Sequence, residues 1–247
     1  VSVLRDGNHV GTFNIKDVSE DLLVSKMVGR PVDKLYPISK GKFGKPILEV
    51  NNFTDGLRFS QVSFKLKRGE ILGIAGVVGS GRSELAQSIF GINPSKGGSI
   101  KIDEKEVSIK KPKDARNLGI AYIPEDRGTQ GLVKEMKISH NVSMANLDRE
   151  ANGILIIFKK EMQNAVNAIN KLGIRARNAL QLVRQLSGGN QQKVVVAKWL
   201  QTEPRILIMD EPTRGIDVGA KSEIHQLMRN LADEGLAILM ISSELPE

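Results

Sequence analysis

The chain has no cysteine among its 247 residues, so it forms neither a disulfide nor a thiolate metal site, and a reducing compartment suits it. Aromatic residues make up only 4%, which leaves little to stack on bases. No run approaches the ~18 consecutive apolar residues that a membrane-spanning helix needs. Arg5, Asp6 and Lys16 interrupt the opening residues, which therefore do not read as a signal peptide. The three histidines, His9, His140 and His225, lack metal-ligand spacing and read as surface or packing residues. Internal repeats and low-complexity tracts are also missing.

What is present is ordinary for a globular protein: 40% hydrophobic and 26% charged residues, in a length that suits one α/β domain with or without a small appendage. The net charge of +8 raises two partners, nucleic acid and an anionic membrane surface. The basic residues are scattered, however, with only short clusters such as Lys40-Gly41-Lys42 and Lys110-Lys111-Pro112-Lys113. The charge is read mainly as solubility, aided by membrane proximity, and no nucleic-acid partner is expected.

Residues 1–30 read as two short strands joined at Asp6-Gly7-Asn8 and then a helix. Asp17 or Ser19 is the candidate cap, and Leu22, Leu23 and Met27 the candidate apolar face. Residues 31–46, with Pro31, Pro37, Gly41, Gly44 and Pro46, have linker composition. From Ile47 onward, strand and helix patterns alternate, the mark of a sheet covered by helices. Val62–Leu66 alternates with period two and reads as a half-buried strand, whereas Ile71–Ala75 is a continuous apolar run, expected of a strand buried on both faces. A helix is expected over Ser83–Phe90, a short strand over Ala121–Ile123, and buried strands over Ile206–Met209 and Leu236–Ile241. The stretch from Lys137 to Leu172 reads as mostly helical, and a further helix runs from near Ser187 to Leu200, with Trp199 on its apolar face.

The run Gly76-Val77-Val78-Gly79-Ser80-Gly81-Arg82-Ser83 follows a strand and opens a helix, the setting that the G-x-x-x-x-G-K-[ST] motif requires. Its glycines let successive backbone N–H groups face one anion, and the helix adds the positive end of its dipole. Ser83 can hold Mg²⁺ through its hydroxyl. Arg82 departs from the lysine of that motif: it is planar and bulky where lysine is a compact point charge. Binding of phosphate survives such a change more readily than placement for in-line attack. Glu84 adds a negative charge beside the loop. On its own the loop also fits a glycine-rich turn with no ligand.

Asp210 ends an apolar strand and Glu211 follows it. An aspartate there can hold Mg²⁺, and the adjacent glutamate can polarise an attacking water. Ser187-Gly188-Gly189 opens a helix where serine can cap and glycine allows close approach to an anion. Three such residues say little, but the full run Leu186-Ser187-Gly188-Gly189-Asn190-Gln191-Gln192, just before a strand ending in Asp210-Glu211-Pro212-Thr213, says much more.

With these motifs in this order, the sequence from about Ile47 to Glu247 resembles the ATP-binding-cassette (ABC) ATPases. More closely, it resembles the second ATPase half of bacterial sugar-import proteins that carry two cassettes in one polypeptide. The pointers are Gly81-Arg82-Ser83-Glu84, Pro124-Glu125-Asp126-Arg127, Leu186 to Gln192, and Thr213 to Lys221. The resemblance implies an α/β P-loop fold with a mixed sheet core, an antiparallel β part and a helical subdomain over about 126–190. It implies ATP and Mg²⁺ as cofactors. Gly76, Gly79, Ser80, Gly81, Arg82, Ser83 and Glu84 then lie at the Walker A loop, and Asp210 and Glu211 at the Walker B aspartate and catalytic glutamate. Leu186, Ser187, Gly188, Gly189, Asn190 and Gln191 form the signature that binds nucleotide held by the opposite cassette. Gly215 and Asp217 lie in the D-loop at the dimer interface. Glu125 takes the place of the Q-loop glutamine, near the permease.

A second departure is Ser243, which stands where most active cassettes have the switch histidine. With Arg82 it predicts a degenerate site that binds nucleotide and hydrolyses it slowly, while the intact signature serves the partner cassette. The resemblance also reads residues 1–30 as the tail of a preceding cassette, 31–46 as the inter-cassette linker, and 47–247 as a cassette cut short at its C-terminal end. The tail is expected to pack where the missing end would go. Implied partners are the first cassette of the same polypeptide, an integral-membrane sugar permease and, indirectly, an extracytoplasmic binding protein. The implied place is cytoplasmic, peripheral on the inner face of the membrane. Competing readings are a ribosome- or nucleic-acid-associated ABC ATPase, for which Lys34, Lys40, Lys42 and Lys45 are suggestive, and a nucleotide sensor without hydrolysis. Phe53 or Phe59 is the candidate adenine stacker, each equally a packing residue.

Overall fold

The structure, a computed structural model, describes residues 1–5, 7–29, 37–38, 41, 43–152 and 155–244. The chain opens with an antiparallel hairpin, β1 (Ser2–Arg5) and β2 (Asn8–Thr12), and then α1 (Glu20–Val28). Of the two candidate caps the fold uses Ser19, whose Oγ accepts from the Leu22 N–H at 3.2 Å. The expected apolar face of this helix needs correction. Leu22 and Met27 are exposed and Leu23 is half-buried, because the helix lies on the surface, mainly against β1 and a later helix. Asp6 of the expected turn, and most of the 31–46 stretch including Lys34, Lys40 and Lys42, lie outside the described residues.

β3 (Pro46–Thr54), β4 (Val62–Lys67) and β5 (Ile71–Ala75) follow, then α2 (Arg82–Ile89), β6 (Gly97–Ile102), β7 (Lys105–Val107), α3 (Pro112–Asn117) and β8 (Ile120–Ile123). After a π-helical turn at Arg127–Gly131 come α4 (Ile138–Ser143), α5 (Leu147–Glu150), a short hairpin of β9 (Ala151–Asn152) and β10 (Leu155–Ile156), and α6 (Phe158–Leu172). α7 (Gly188–Leu200), β11 (Ile206–Asp210), α8 (Val218–Asp233) and β12 (Ala237–Ser242) complete the order. The stretch 137–172 is mostly helical as expected, apart from the hairpin. No helix among the described residues is long and apolar enough to cross a membrane.

Two four-stranded sheets form the frame: an antiparallel one in the order β4-β3-β6-β7 and a parallel one in the order β5-β12-β11-β8. The parallel strands are continuous apolar runs because both faces are covered, and their period of two divides the side chains between two cores. Ile120, Tyr122, Ile208, Leu239 and Ile241 meet Leu85, Ala86, Ile89 and Phe90 of the α2 region, which pack in turn on Leu48, Val50 and Leu66 of the antiparallel sheet. Ala121, Ile123, Leu207, Met209, Ile238 and Met240 point the other way, into a core with α4, α6, α7 and α8. Trp199 packs against both cores.

β5 departs from expectation. It is the edge strand, paired only with β12 in the sheet order, and it is half-buried with Gly73 and Ala75 exposed. Of the two readings of Phe53 and Phe59, the fold matches packing: both are buried, and their rings stack on each other with centroids 5.9 Å apart.

Candidate functional site

The carboxyl ends of parallel strands are where an open α/β sheet gathers its loops. Here β5 delivers the loop 76–81, β11 delivers Asp210 and Glu211, and β12 delivers Ser242 and Ser243. Register fixes the neighbours: Asp210 pairs with Ile241, and Ser242 with Ala75. The turn between β3 and β4 buttresses the loop from outside. Gly81 adopts φ +87°, and a Cβ there would collide with the Arg58 carbonyl oxygen. Asp55 holds that turn by accepting from the N–H groups of Leu57, Arg58 and Phe59 at 3.0, 2.7 and 3.1 Å. Burial pushes its carboxyl up, but these donors together with the Arg58 guanidinium hold it well below the usual carboxylate range.

Ser83 and Asp210 meet directly: the serine Oγ donates to Asp210 Oδ1 at 3.0 Å. The other carboxylate oxygen accepts from the Tyr122 hydroxyl, also at 3.0 Å. Asp210 is fully buried, and that burial raises its pKa, helped by the nearby Glu211 charge and opposed by the two hydroxyl donors. A hydroxyl beside a buried carboxylate is a hard-oxygen pair that fits Mg²⁺ held jointly with substrate phosphates. α2 starts without a side-chain cap, which leaves its first N–H groups open to an anion. The residues therefore fit a Mg-nucleotide: Ser83 and Asp210 would hold the metal and 76–83 would seat the phosphates.

Arg82 does not reach forward over that seat. Its guanidinium is buried and turns back, one nitrogen donating to the Ser242 carbonyl and the other to the Val77 carbonyl at 3.3 Å. The latter nitrogen also lies 3.6 Å from Glu211 Oε1. Ser243 Oγ donates to Glu211 Oε2 at 3.1 Å. Both oxygens of the glutamate are thus engaged. Glu211 itself sits at φ +46°, a region a side-chain-bearing residue adopts when its surroundings hold it there. Its N–H donates to the Ile241 carbonyl at 2.9 Å, and its carbonyl accepts from Arg214 N–H at 3.1 Å.

The remaining sequence-predicted residues gather in a second cluster. Ser187 is the N-cap of α7 by backbone position, yet its hydroxyl makes no capping bond and instead accepts from Asn190 Nδ2 at 2.8 Å. The amides of that helix start stay available to an anion. Gln191 ties the preceding turn by donating to the carbonyls of Val183 and Leu186, and Leu186 is buried. Gly189 touches α8: a Cβ there would lie 2.5 Å from the Ala220 Cβ. Asp217 caps α8, accepting from Ala220 N–H at 2.9 Å. Glu125 joins this second cluster, where its carboxylate pairs with Arg214. A cavity of about 490 Å³ here is lined by Ser187, Gly189, Asn190, Asp217 and Arg175, and by Leu4, Arg5 and Met27 of the N-terminal segment.

Two residues of these clusters were not singled out from the sequence for a role. Tyr122 was visible only as part of a strand, and its signal was a polar group on a strand adjacent to that of Asp210. Arg127 was visible only as part of the Pro124–Arg127 run.

Comparison with known proteins agrees with this geometry. Residues 59–214 match the family model described as ABC transporter. The ribose import ATP-binding protein RbsA of Clostridium tetani is 46% identical over 248 residues, covering all of this chain and 49% of that protein. The protein of the same name from Oceanobacillus iheyensis is 48% identical over 247 residues, covering all of this chain and 50% of its own length. The chain thus spans about half the length of the curated relatives it matches. Among solved structures, cbiO1 of Clostridium perfringens, part of the ABC transporter complex cbiONQ, superimposes with a TM-score of 0.66 at 26% identity over 81% of this chain and 78% of that one. A nucleotide-free ATP-binding cassette from an ABC transporter shares the fold with a TM-score of 0.70 at 24% identity, over 82% of this chain and 83% of that one. The chain belongs to the ABC transporter family, as an ATP-binding cassette.

Proposed function

We propose that the chain is part of a two-cassette ATPase that powers import of a sugar of the ribose class through a membrane permease. In this reading it works at the cytoplasmic face of the membrane, as the half that binds Mg-ATP at 76–83 and hydrolyses it slowly. Its signature, Leu186 to Gln191, completes the nucleotide site of the opposite cassette in the same polypeptide. The names of the relatives support the substrate class, and their identity over the whole of this chain supports the transfer.

The observation that carries the slow-hydrolysis reading is the direction of Arg82. Bound Mg-ATP supplies the phosphoryl group and the metal charge, and the protein must place a cation over the phosphates and leave a carboxylate ready for water. Here the Arg82 guanidinium is committed to the Ser242 and Val77 carbonyls, and Glu211 is held between Arg82 and Ser243. Ser83 and Asp210 remain able to hold the metal, which supports binding without rapid turnover. A sensor that never hydrolyses, even beside an intact partner, is separated from this reading by activity of the paired cassettes.

The test is calorimetry of Mg-ATP binding with phosphate release followed on the same sample. Binding without release is expected from this chain. In the two-cassette protein, Arg82→Lys is expected to leave turnover unchanged, because Ser243 stays in place. Brisk turnover by this chain that disappears in Glu211→Gln would overturn the reading.

A further inference from the structure

Arg127 stands where three segments meet. It begins the π-helical turn Arg127–Gly131, which is pinned at both ends. At the start, Asp126 Oδ1 accepts from the N–H groups of Gly128 and Thr129 at 2.8 and 3.2 Å, and its Oδ2 accepts from the Thr129 hydroxyl at 2.6 Å. At the end, the buried Lys198 ammonium donates to the Gly131 carbonyl at 2.6 Å. The arginine side chain therefore leaves a fixed base.

Its fork spans two consecutive carbonyls of the loop after β11: Nη1 donates to Arg214 O at 2.6 Å and Nη2 to Gly215 O at 3.0 Å. The same guanidinium lies against the start of α7, where a Cβ on Gly188 would come within 2.9 Å of Nη2. A methyl there would press on the guanidinium and on Ile216, whose Cγ2 would lie 3.2 Å from it. Glu125, two residues before Arg127, pairs with the Arg214 side chain and so holds the same loop. That loop runs through Gly215, at φ +66°, to Asp217, the cap of α8.

We propose that Arg127 is a positioning residue that sets the segment 214–217 against the Ser187–Gly189 helix start, so that both present one surface to the opposite cassette. The functional half of this proposal rests on the two-cassette reading above; the positional half does not. A guanidinium holds two acceptors in one rigid geometry, whereas an ammonium is a point charge on a flexible stem. Lysine at 127 is therefore expected to fail where arginine succeeds.

The experiment is amide hydrogen exchange on this chain, comparing wild type, Arg127→Ala, Arg127→Lys and Gly188→Ala. All three variants are expected to speed exchange at residues 214–217 on the order of tenfold, as loss of charge-assisted bonds predicts, with β11 protected as in wild type. Unchanged exchange at 214–217 in Arg127→Ala would overturn the proposal. So would wild-type protection in Arg127→Lys, or faster exchange spread equally over β11 in every variant, the mark of a merely structural role. In the two-cassette protein, Arg127→Lys is expected to lower kcat with KM for ATP unchanged, and an unchanged kcat would overturn the functional half. A wild-type two-cassette protein without ATP turnover would defeat the proposed function and leave the exchange result standing.

Discussion

The Tyr122 hydroxyl is the outer support of Asp210, and it can be removed without disturbing the ring. Phe90 stacks on the Tyr122 ring with centroids 5.5 Å apart, so Tyr122→Phe keeps the packing and deletes the hydroxyl, which donates to Asp210 and also hydrogen-bonds the Gln87 side chain. The variant is expected to lose about 1–2 kcal/mol, the penalty for a buried carboxylate oxygen short of a partner, read from the denaturant midpoint. Lys198 supplies a pH dependence. Burial pushes its ammonium down from 10.5 to about 8. Between those values the unfolded chain holds a proton that the folded chain has released, so stability rises with pH across that window and is lowest below it. The gain from about pH 7 to about pH 10 is expected to be on the order of 2–3 kcal/mol, and Lys198→Met is expected to lack it. Denaturant titrations of both proteins at the two pH values check this. Residues of this kind were the hardest to assign from sequence. The backbone frame of the site is local and therefore legible: a glycine loop, an acid pair, a serine–glycine helix start. The direction of Arg82 depends on a carbonyl 160 positions away, and nothing local encodes it.

Among the elements, α7 and α8 touch through glycine. Gly189→Ala would place a Cβ 2.5 Å from that of Ala220, so the helices must separate. The expected loss is about 1–3 kcal/mol, with a lowered thermal midpoint. Gly73 is the control: a Cβ there meets nothing within 4 Å and its φ is not positive, so Gly73→Ala is expected to change stability by about 0.5 kcal/mol or less. Thermal denaturation of the pair separates packing from a general effect of added methyl groups. The same elements explain what periodicity could and could not tell. β11 and β12 announce themselves because both faces are buried, at Ile206, Leu207 and Ile208 for example. β5 has the same apolar run but lies at the edge, and an apolar run does not record its place in the sheet order. β3 and β6 were not singled out as strands. Their alternation is broken by Asn51-Asn52 and Gly97-Gly98, where the register shifts and Gly98, at φ +82°, approaches the Asn51 carbonyl.

At the scale of the molecule, two apolar cores share one sheet, and among the described residues neither contains one before Ile47. The N-terminal hairpin and α1 lie outside both and touch the rest mainly through α8. A chain beginning at Pro46 is therefore expected to unfold cooperatively within about 1 kcal/mol of the full chain. Calorimetric unfolding of the two checks it, and a broadened or split transition in the shorter chain would show that the hairpin and α1 carry part of the core's stability. The overall architecture was legible because alternating strand and helix patterns leave few ways to cover a parallel sheet. The placing of Leu4, Arg5 and Met27 beside Ser187 and Asp217 was not, since it depends on a surface contact of few apolar side chains.

The arginine that folds back onto the Ser242 and Val77 carbonyls is part of the masonry. One side chain from the first turn of α2 ties the end of β12 to the loop after β5. A substitution at 82 is therefore felt first in the frame, where two backbone oxygens lose a donor, whatever it does to a bound phosphate. The position is a keystone as much as a contact.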